Sequence, residues 1–124
     1  MSRPHEAYAK AAKTGNDPRE LEASVLLKSA SRLQHVKDSW ATSAGESDLN
    51  PALLYNRTLW TIFATSVTEG ESALPKEVRQ NIANLAIFIF KRTVEVQATP
   101  APDLLDPLIN INRQIAAGLL QKAS

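Results

Sequence analysis

The apolar residues of this 124-residue chain recur every three or four positions in four segments, and each segment opens with a proline. The segments run from Pro18 to about Trp40, from Pro51 to about Val67, from Pro75 to about Val96 and from Pro107 to about Gln121. Proline suits the first turn of a helix, where its missing N–H has no partner anyway. A spacing of three or four places apolar side chains on one helical face. The pattern therefore predicts four amphipathic helices.

The connections between these helices indicate how they pack. The predicted connectors at 41–48, 69–73 and 98–102 are short and consist of polar or small residues. Short links between amphipathic helices favour an up-and-down bundle. Alanines and Tyr8 suggest a further short helix over Pro4–Lys13. We therefore predict an all-α fold, with one domain over residues 1–124 that contains four main helices and a short N-terminal helix.

The most apolar stretch is the six-residue run Leu85–Phe90. It is apolar all round, so we expect it to be the most enclosed part of the bundle. A short buried strand is the alternative, but the flanking apolar stripes have helical spacing. The run is far shorter than the roughly 20 residues that span a bilayer. Because the N-terminal residues also lack a signal-peptide pattern, we expect a protein without membrane insertion.

Composition narrows the classes of function. Fourteen Lys and Arg residues face thirteen Asp and Glu residues, whereas a dedicated nucleic-acid binder concentrates positive charge. Nucleic acid is therefore a poor candidate partner. The chain has no cysteine, which excludes disulfides, thiolate metal sites and a cysteine nucleophile. A reducing cytoplasm is the natural location.

The sequence carries no pattern of a catalytic or cofactor site. Its two histidines, His5 and His35, are distant from each other, and a zinc site needs at least three protein ligands. The four glycines are scattered and form no phosphate-binding loop. We expect no metal, no cofactor and no enzymatic activity.

Asn56 interrupts the apolar series of the second helix, which also contains Trp60 and Phe63. A buried amide is expensive unless it is hydrogen-bonded. One interpretation is that Asn56 pairs with a neighbouring helix and fixes its register; the other is that it contacts a bound peptide. Trp60 and Phe63 have the same two possibilities, core or binding anchor.

The last helix has two adjacent apolar stripes, which is more than one seam of a bundle requires. They suggest a groove for a partner helix, with Gly118 permitting close approach; a core helix is the equal alternative. Asn112 and Arg113 lie at its middle. The candidate partner-binding residues of the chain are Trp60, Phe63, Leu105, Ile109, Asn112, Arg113, Ile115, Gly118 and Leu119.

Four motifs resemble the FlaF family of flagellar proteins, in the same order. They are Arg19-Glu20-x-Glu22-Ala23, Ala52-Leu53-x-x-Asn56-x-x-Leu59-Trp60-x-x-Phe63, Leu74-Pro75-x-x-x-Arg79-x-x-Ile82-x-x-Leu85-x-x-Phe88, and Leu108-Ile109-x-Ile111-Asn112-Arg113-x-Ile115-Ala116-x-Gly118-Leu119. Tyr8 matches the N-terminal tyrosine of the family, whereas Asn110 stands where the family has an acidic residue.

This resemblance implies a cytoplasmic chaperone or regulator that binds flagellin, at a terminal helical segment, and is required for flagellin synthesis or secretion. FlbT, a companion regulator, and the flagellar export apparatus are further partners that it suggests. The alternative is a post-transcriptional regulator that acts on flagellin messenger RNA directly. From its size and solubility, we expect the chain alone to be a monomer.

Overall fold

The computed structural model describes residues 18–69 and 74–123, which form four α-helices and no strand. The helices are α1 (Pro18–Asp38), α2 (Ser43–Thr68), α3 (Lys76–Ala98) and α4 (Asp106–Ala123), with a 3-10 helix at Pro102–Leu105 directly before α4. The predicted all-α architecture with four main helices is confirmed. The short helix expected over Pro4–Lys13 lies outside the described residues. None of the described helices combines the length and the hydropathy needed to cross a membrane.

Helix α1 is the central element, because it packs against both α4 and α2. Helix α2 packs in turn against α3, whereas α3 and α4 approach each other only slightly. Helix α3 is therefore held mainly by one neighbour. At the end of α1, Lys37 Nζ lies 2.6 Å from Asp106 Oδ1 at the start of α4. The hydrogen bond and negative charge of Asp106 raise the pKa of Lys37 above its usual value.

The core is formed where the inner faces of α1, α2 and α4 meet. Trp60 and Phe63 of α2 are fully buried, and their rings meet edge to face with centroids 5.3 Å apart, a favoured aromatic geometry. Leucines of every contributing element surround them. The largest of these fully buried side chains are Leu26, Leu33, Leu53, Leu59, Leu105 and Leu108.

Helix α2 begins at Ser43, eight residues before the predicted start at Pro51. Thr42 is its N-cap, since the Thr42 side chain accepts a hydrogen bond from the N–H of Gly45 at 3.2 Å. This additional N-terminal part buries Leu49. Pro51 lies inside the helix instead of opening it, although proline has no backbone N–H to donate to the preceding turn. The predicted connector over 41–48 was wrong because a threonine cap outweighed the proline signal.

The burial of helix α3 differs from what the sequence predicts. The Leu85–Phe90 run is not the most enclosed segment, because Ile87 is 54% exposed and Phe88 is 37% exposed. Only one stripe of α3 is covered, formed by Ile82, Ala86, Ile89, Thr93 and Val96. The physical reason is the arrangement of the bundle: α2 covers one side of α3, and α4 covers little of the rest.

Alanine substitutions at two glycines should change the stability of the protein in opposite directions. A Cβ atom added at Gly45 would lie 2.1 Å from the backbone oxygen of Ser39, whereas one added at Gly118 would have no neighbour within 4 Å. We expect Gly45→Ala to destabilise the protein by about 1–3 kcal/mol, as overpacking does. Gly118→Ala should stabilise it by up to about 1 kcal/mol through helix propensity. Urea unfolding of both variants measures the difference, and equal effects would contradict the close packing of Ser39 on Gly45.

Candidate protein-binding surfaces

Four polar side chains form a hydrogen-bond network in the core. Ser29 Oγ of α1 donates to Asn56 Oδ1 of α2 at 2.8 Å. Asn112 Nδ2 of α4 donates to the same oxygen at 2.7 Å and to the carbonyl oxygen of Leu26 at 3.4 Å. Trp60 Nε1 donates to Asn112 Oδ1 at 2.8 Å. The network thus connects α1, α2 and α4.

The prediction that Asn56 is buried and bonded to another segment is confirmed. Asn56, Ser29 and Asn112 all have no exposed surface. The interpretation of Asn56 as a residue that fixes helix register therefore fits its contacts, since a slip of α2 would separate its amide from both partners. Asn56 Nδ2 alone has no hydrogen-bond acceptor within the network.

Glu22 is a buried charged residue that the sequence pattern did not single out as a site. Its carboxylate is 1% exposed and lies 2.9 Å from Arg19 Nε on the same helix. Ser66 Oγ of α2 donates to Glu22 Oε2 at 2.9 Å. Buried carboxylates require such partners, so Glu22 adds a second polar connection between α1 and α2.

The structure divides the nine predicted partner-binding residues into two groups. Six are core residues with at most 3% of their surface exposed: Trp60, Phe63, Leu105, Ile109, Asn112 and Leu119. Arg113 is exposed, and Ile115 and Gly118 are half-buried. The groove predicted against the last helix, lined by some of Leu105, Ile109, Ile115 and Leu119, is corrected at three of these residues, because Leu105, Ile109 and Leu119 are buried in the core. A contact of Arg113, Ile115 or Gly118 with a partner stays a prediction.

Among the described residues, none lies within 4 Å of a Cβ atom added at Gly118, so the close approach of a partner helix to Gly118 stays a prediction. Gly118 follows Ile111 and Ile115, both half-buried, on one side of α4. The spacing of these three residues, i, i+4 and i+7, is that of anchors along a helix–helix contact. We call Ile111, Ile115 and Gly118 the α4 row.

Helix α3 carries three of the six exposed large apolar side chains of the described residues, Ile87, Phe88 and Val94. Ile87 is 54% exposed and Val94 is 65% exposed, and the half-buried Phe90 lies between them. Their spacing is i, i+3 and i+7, so they share one side of the helix. We call Ile87, Phe90 and Val94 the α3 face. The sequence signal for it was the all-round apolar character of Leu85–Phe90, which was interpreted as burial.

The chemistry available on these surfaces is that of apolar contact. Among residues 18–69 and 74–123, no group of three or more His, Asp or Glu side chains is placed to hold a metal ion. The α3 face offers no titratable group of its own. Exposed apolar rows on helices are suited to binding another amphipathic helix.

The core network generates a prediction for stability. Asn56→Ala removes the acceptor of both Ser29 and Asn112, so the free energy of unfolding should fall by about 1–3 kcal/mol. Ser29→Ala is the matched control: Asn56 Oδ1 keeps its bond from Asn112, and the loss should be about 1 kcal/mol or less. Urea denaturation monitored by circular dichroism measures both. An Asn56→Ala variant as stable as the parent would show that the network does not hold the helices together.

Comparison with known proteins agrees with the motifs. The family model described as "Flagellar protein FlaF" matches residues 4–119. This match includes all four helices up to the last turn of α4 and all the residues of the core network. Searches of curated proteins and of solved structures found no significant match. Because the family model spans nearly the whole chain, the protein belongs to the FlaF family of flagellar proteins.

Proposed function

We propose that this protein is a non-enzymatic chaperone that binds flagellin during assembly of the bacterial flagellum. The observation that carries the proposal is the α3 face, an apolar row left accessible on a member of a flagellar family. A protein that acts on flagellin before export has to cover the apolar helical segments through which flagellin polymerises. An exposed apolar helix face provides such a cover.

The α3 face is the docking site that we favour. Ile87, Phe90 and Val94 present anchors at i, i+3 and i+7, and α3 is held mainly by α2, which leaves this row available. Burial of an exposed Val or Ile side chain contributes roughly 1.5–3 kcal/mol.

The α4 row is the second candidate, and it retains the site predicted from the sequence. Its Gly118 weakens the helix by about 1 kcal/mol relative to alanine, and no contact among residues 18–69 and 74–123 requires the glycine. A partner helix that packs closely against α4 would explain why a glycine stands there.

The first test is the affinity for purified flagellin, measured by isothermal titration calorimetry. Val94→Asp should weaken binding at least tenfold, because 1.4 kcal/mol corresponds to a factor of ten and a desolvated carboxylate adds to the lost apolar contact. Val94 is largely exposed, so the fold should be retained. Asn81→Asp is the matched control, since it adds the same charge at an exposed position on another side of α3.

The second part of the test separates the two faces. Gly118→Leu fills the empty space on α4, and Ala117→Leu places the same side chain at the adjacent exposed position. If Gly118→Leu weakens flagellin binding and Val94→Asp does not, the α4 row is the docking site. If the parent protein does not bind flagellin at all, the proposed function is wrong. Binding to flagellin messenger RNA instead, with a steep dependence on salt, would establish the RNA regulator.

A further inference from the structure

A pocket lies between α1 and α2, on helices other than the α3 face and the α4 row. Its volume is about 340 Å³, at the lower end of the range for ligand sites. Its walls combine charged, polar and apolar groups. The lining residues are Lys28, Ser31, Arg32, His35, Val36, Asp48 and Ala52.

Arg32 is the residue that gives this pocket a specific chemistry. Its guanidinium carbon lies 4.8 Å from the centroid of the Tyr55 ring, a cation–π contact that holds the side chain in place. Arg32 Nη1 is shielded from water and has no hydrogen-bond acceptor among residues 18–69 and 74–123. No ion pair within 4.0 Å engages Arg32 in the described part of the chain, unlike Arg19 and Arg92, which face Glu22 and Glu95.

The Tyr55 ring also contacts a second cation of the pocket lining. Lys28 Nζ lies 5.9 Å from the centroid of Tyr55, so two cations share one aromatic ring. Burial raises the pKa of the Tyr55 hydroxyl, and the charge of Arg32 opposes this effect. Tyr55 is therefore a neutral ring that holds the positive charges of Arg32 and Lys28 at the pocket.

Arg32 lines the pocket without an ion-pair partner among the described residues, and a guanidinium fork matches a carboxylate, which can accept two parallel hydrogen bonds from it. Val36 and Ala52 are 1% exposed and form the apolar floor of the pocket. With two cations against the carboxylate of Asp48, the lining carries a net charge of +1 when His35 is neutral. We propose that this pocket binds a glutamate side chain on a peptide segment of a partner protein.

The pocket is poorly suited to RNA. Single-stranded nucleic acid requires accessible aromatic rings on which bases stack, and Tyr55 is only 7% exposed. Asp48 in the lining would repel a phosphodiester. A single peptide carboxylate beside Arg32 is repelled less by Asp48 than a chain of phosphates is.

The proposal does not depend on flagellin, and its test uses the full chain with defined probes. ¹⁵N-labelled protein is titrated with the capped peptide acetyl-Ala-Glu-Ala-amide, and the glutamine peptide acetyl-Ala-Gln-Ala-amide serves as the control. The expected result is a saturable shift of the Arg32 Nε–H signal with the glutamate peptide, and an affinity at least fivefold lower for the glutamine peptide. Equal titrations would overturn the proposal.

Variants assign the effect to the pocket. Arg32→Gln should abolish the saturable shift at the amides of α1 and α2, whereas Arg57→Gln, the same change at an exposed position of α2, should leave it unaltered. Asp48→Asn keeps Arg32 and Tyr55 in place and should strengthen glutamate binding at least twofold, which provides a test even if Arg32→Gln disturbs the fold. Unchanged affinity in both Arg32→Gln and Asp48→Asn, or binding of oligouridylate in place of the glutamate peptide, would refute the assignment.

Discussion

The hydrogen bonds between Asn56, Asn112 and Trp60 are the interaction on which the arrangement of the bundle depends. In the described part of the chain, α2 and α4 do not approach each other at the backbone level. The indole of Trp60 and the amide of Asn56 nevertheless reach Asn112 across the core. Apolar contacts alone would tolerate a slip of one helix along another, whereas a buried amide loses its partners when it moves. The network therefore selects one register for α2 and α4 around α1.

This central connection explains why α3 differs from the other helices. The three helices joined by polar contacts bury broad apolar faces, while α3 adds one stripe to α2 and contributes no side chain to the network. The most apolar sequence in the chain thus lies on the helix that packs least extensively against the other described helices. An exposed apolar surface on such a helix is typical of a site that a partner protein covers. The division between a fixed three-helix core and an accessible fourth helix is the basis of the proposed function.

The fold was largely predictable from sequence because helical periodicity and proline positions are local signals. The starts of α1, α3 and α4 were predicted within one residue, whereas the start of α2 depended on a contact between Thr42 and Gly45 that the Asn50-Pro51 pattern concealed. The burial of Asn56 followed from its place in an apolar series. Exposure of Ile87 and Val94 did not, because periodicity shows which residues share a face but not whether another helix covers that face.

The candidate sites were harder to predict for a related physical reason. Asn56, Trp60 and Asn112 belong to the motifs that resemble the family, yet all three are buried and hydrogen-bonded within the core. Their pattern is thus explained by folding, and it does not locate a binding surface. Arg32 and Tyr55 lie outside those motifs, and only the packing of α1 on α2 brings them together. In this bundle, the buried polar residues of the motifs fix the register of the helices, while the proposed recognition uses side chains that the core leaves accessible.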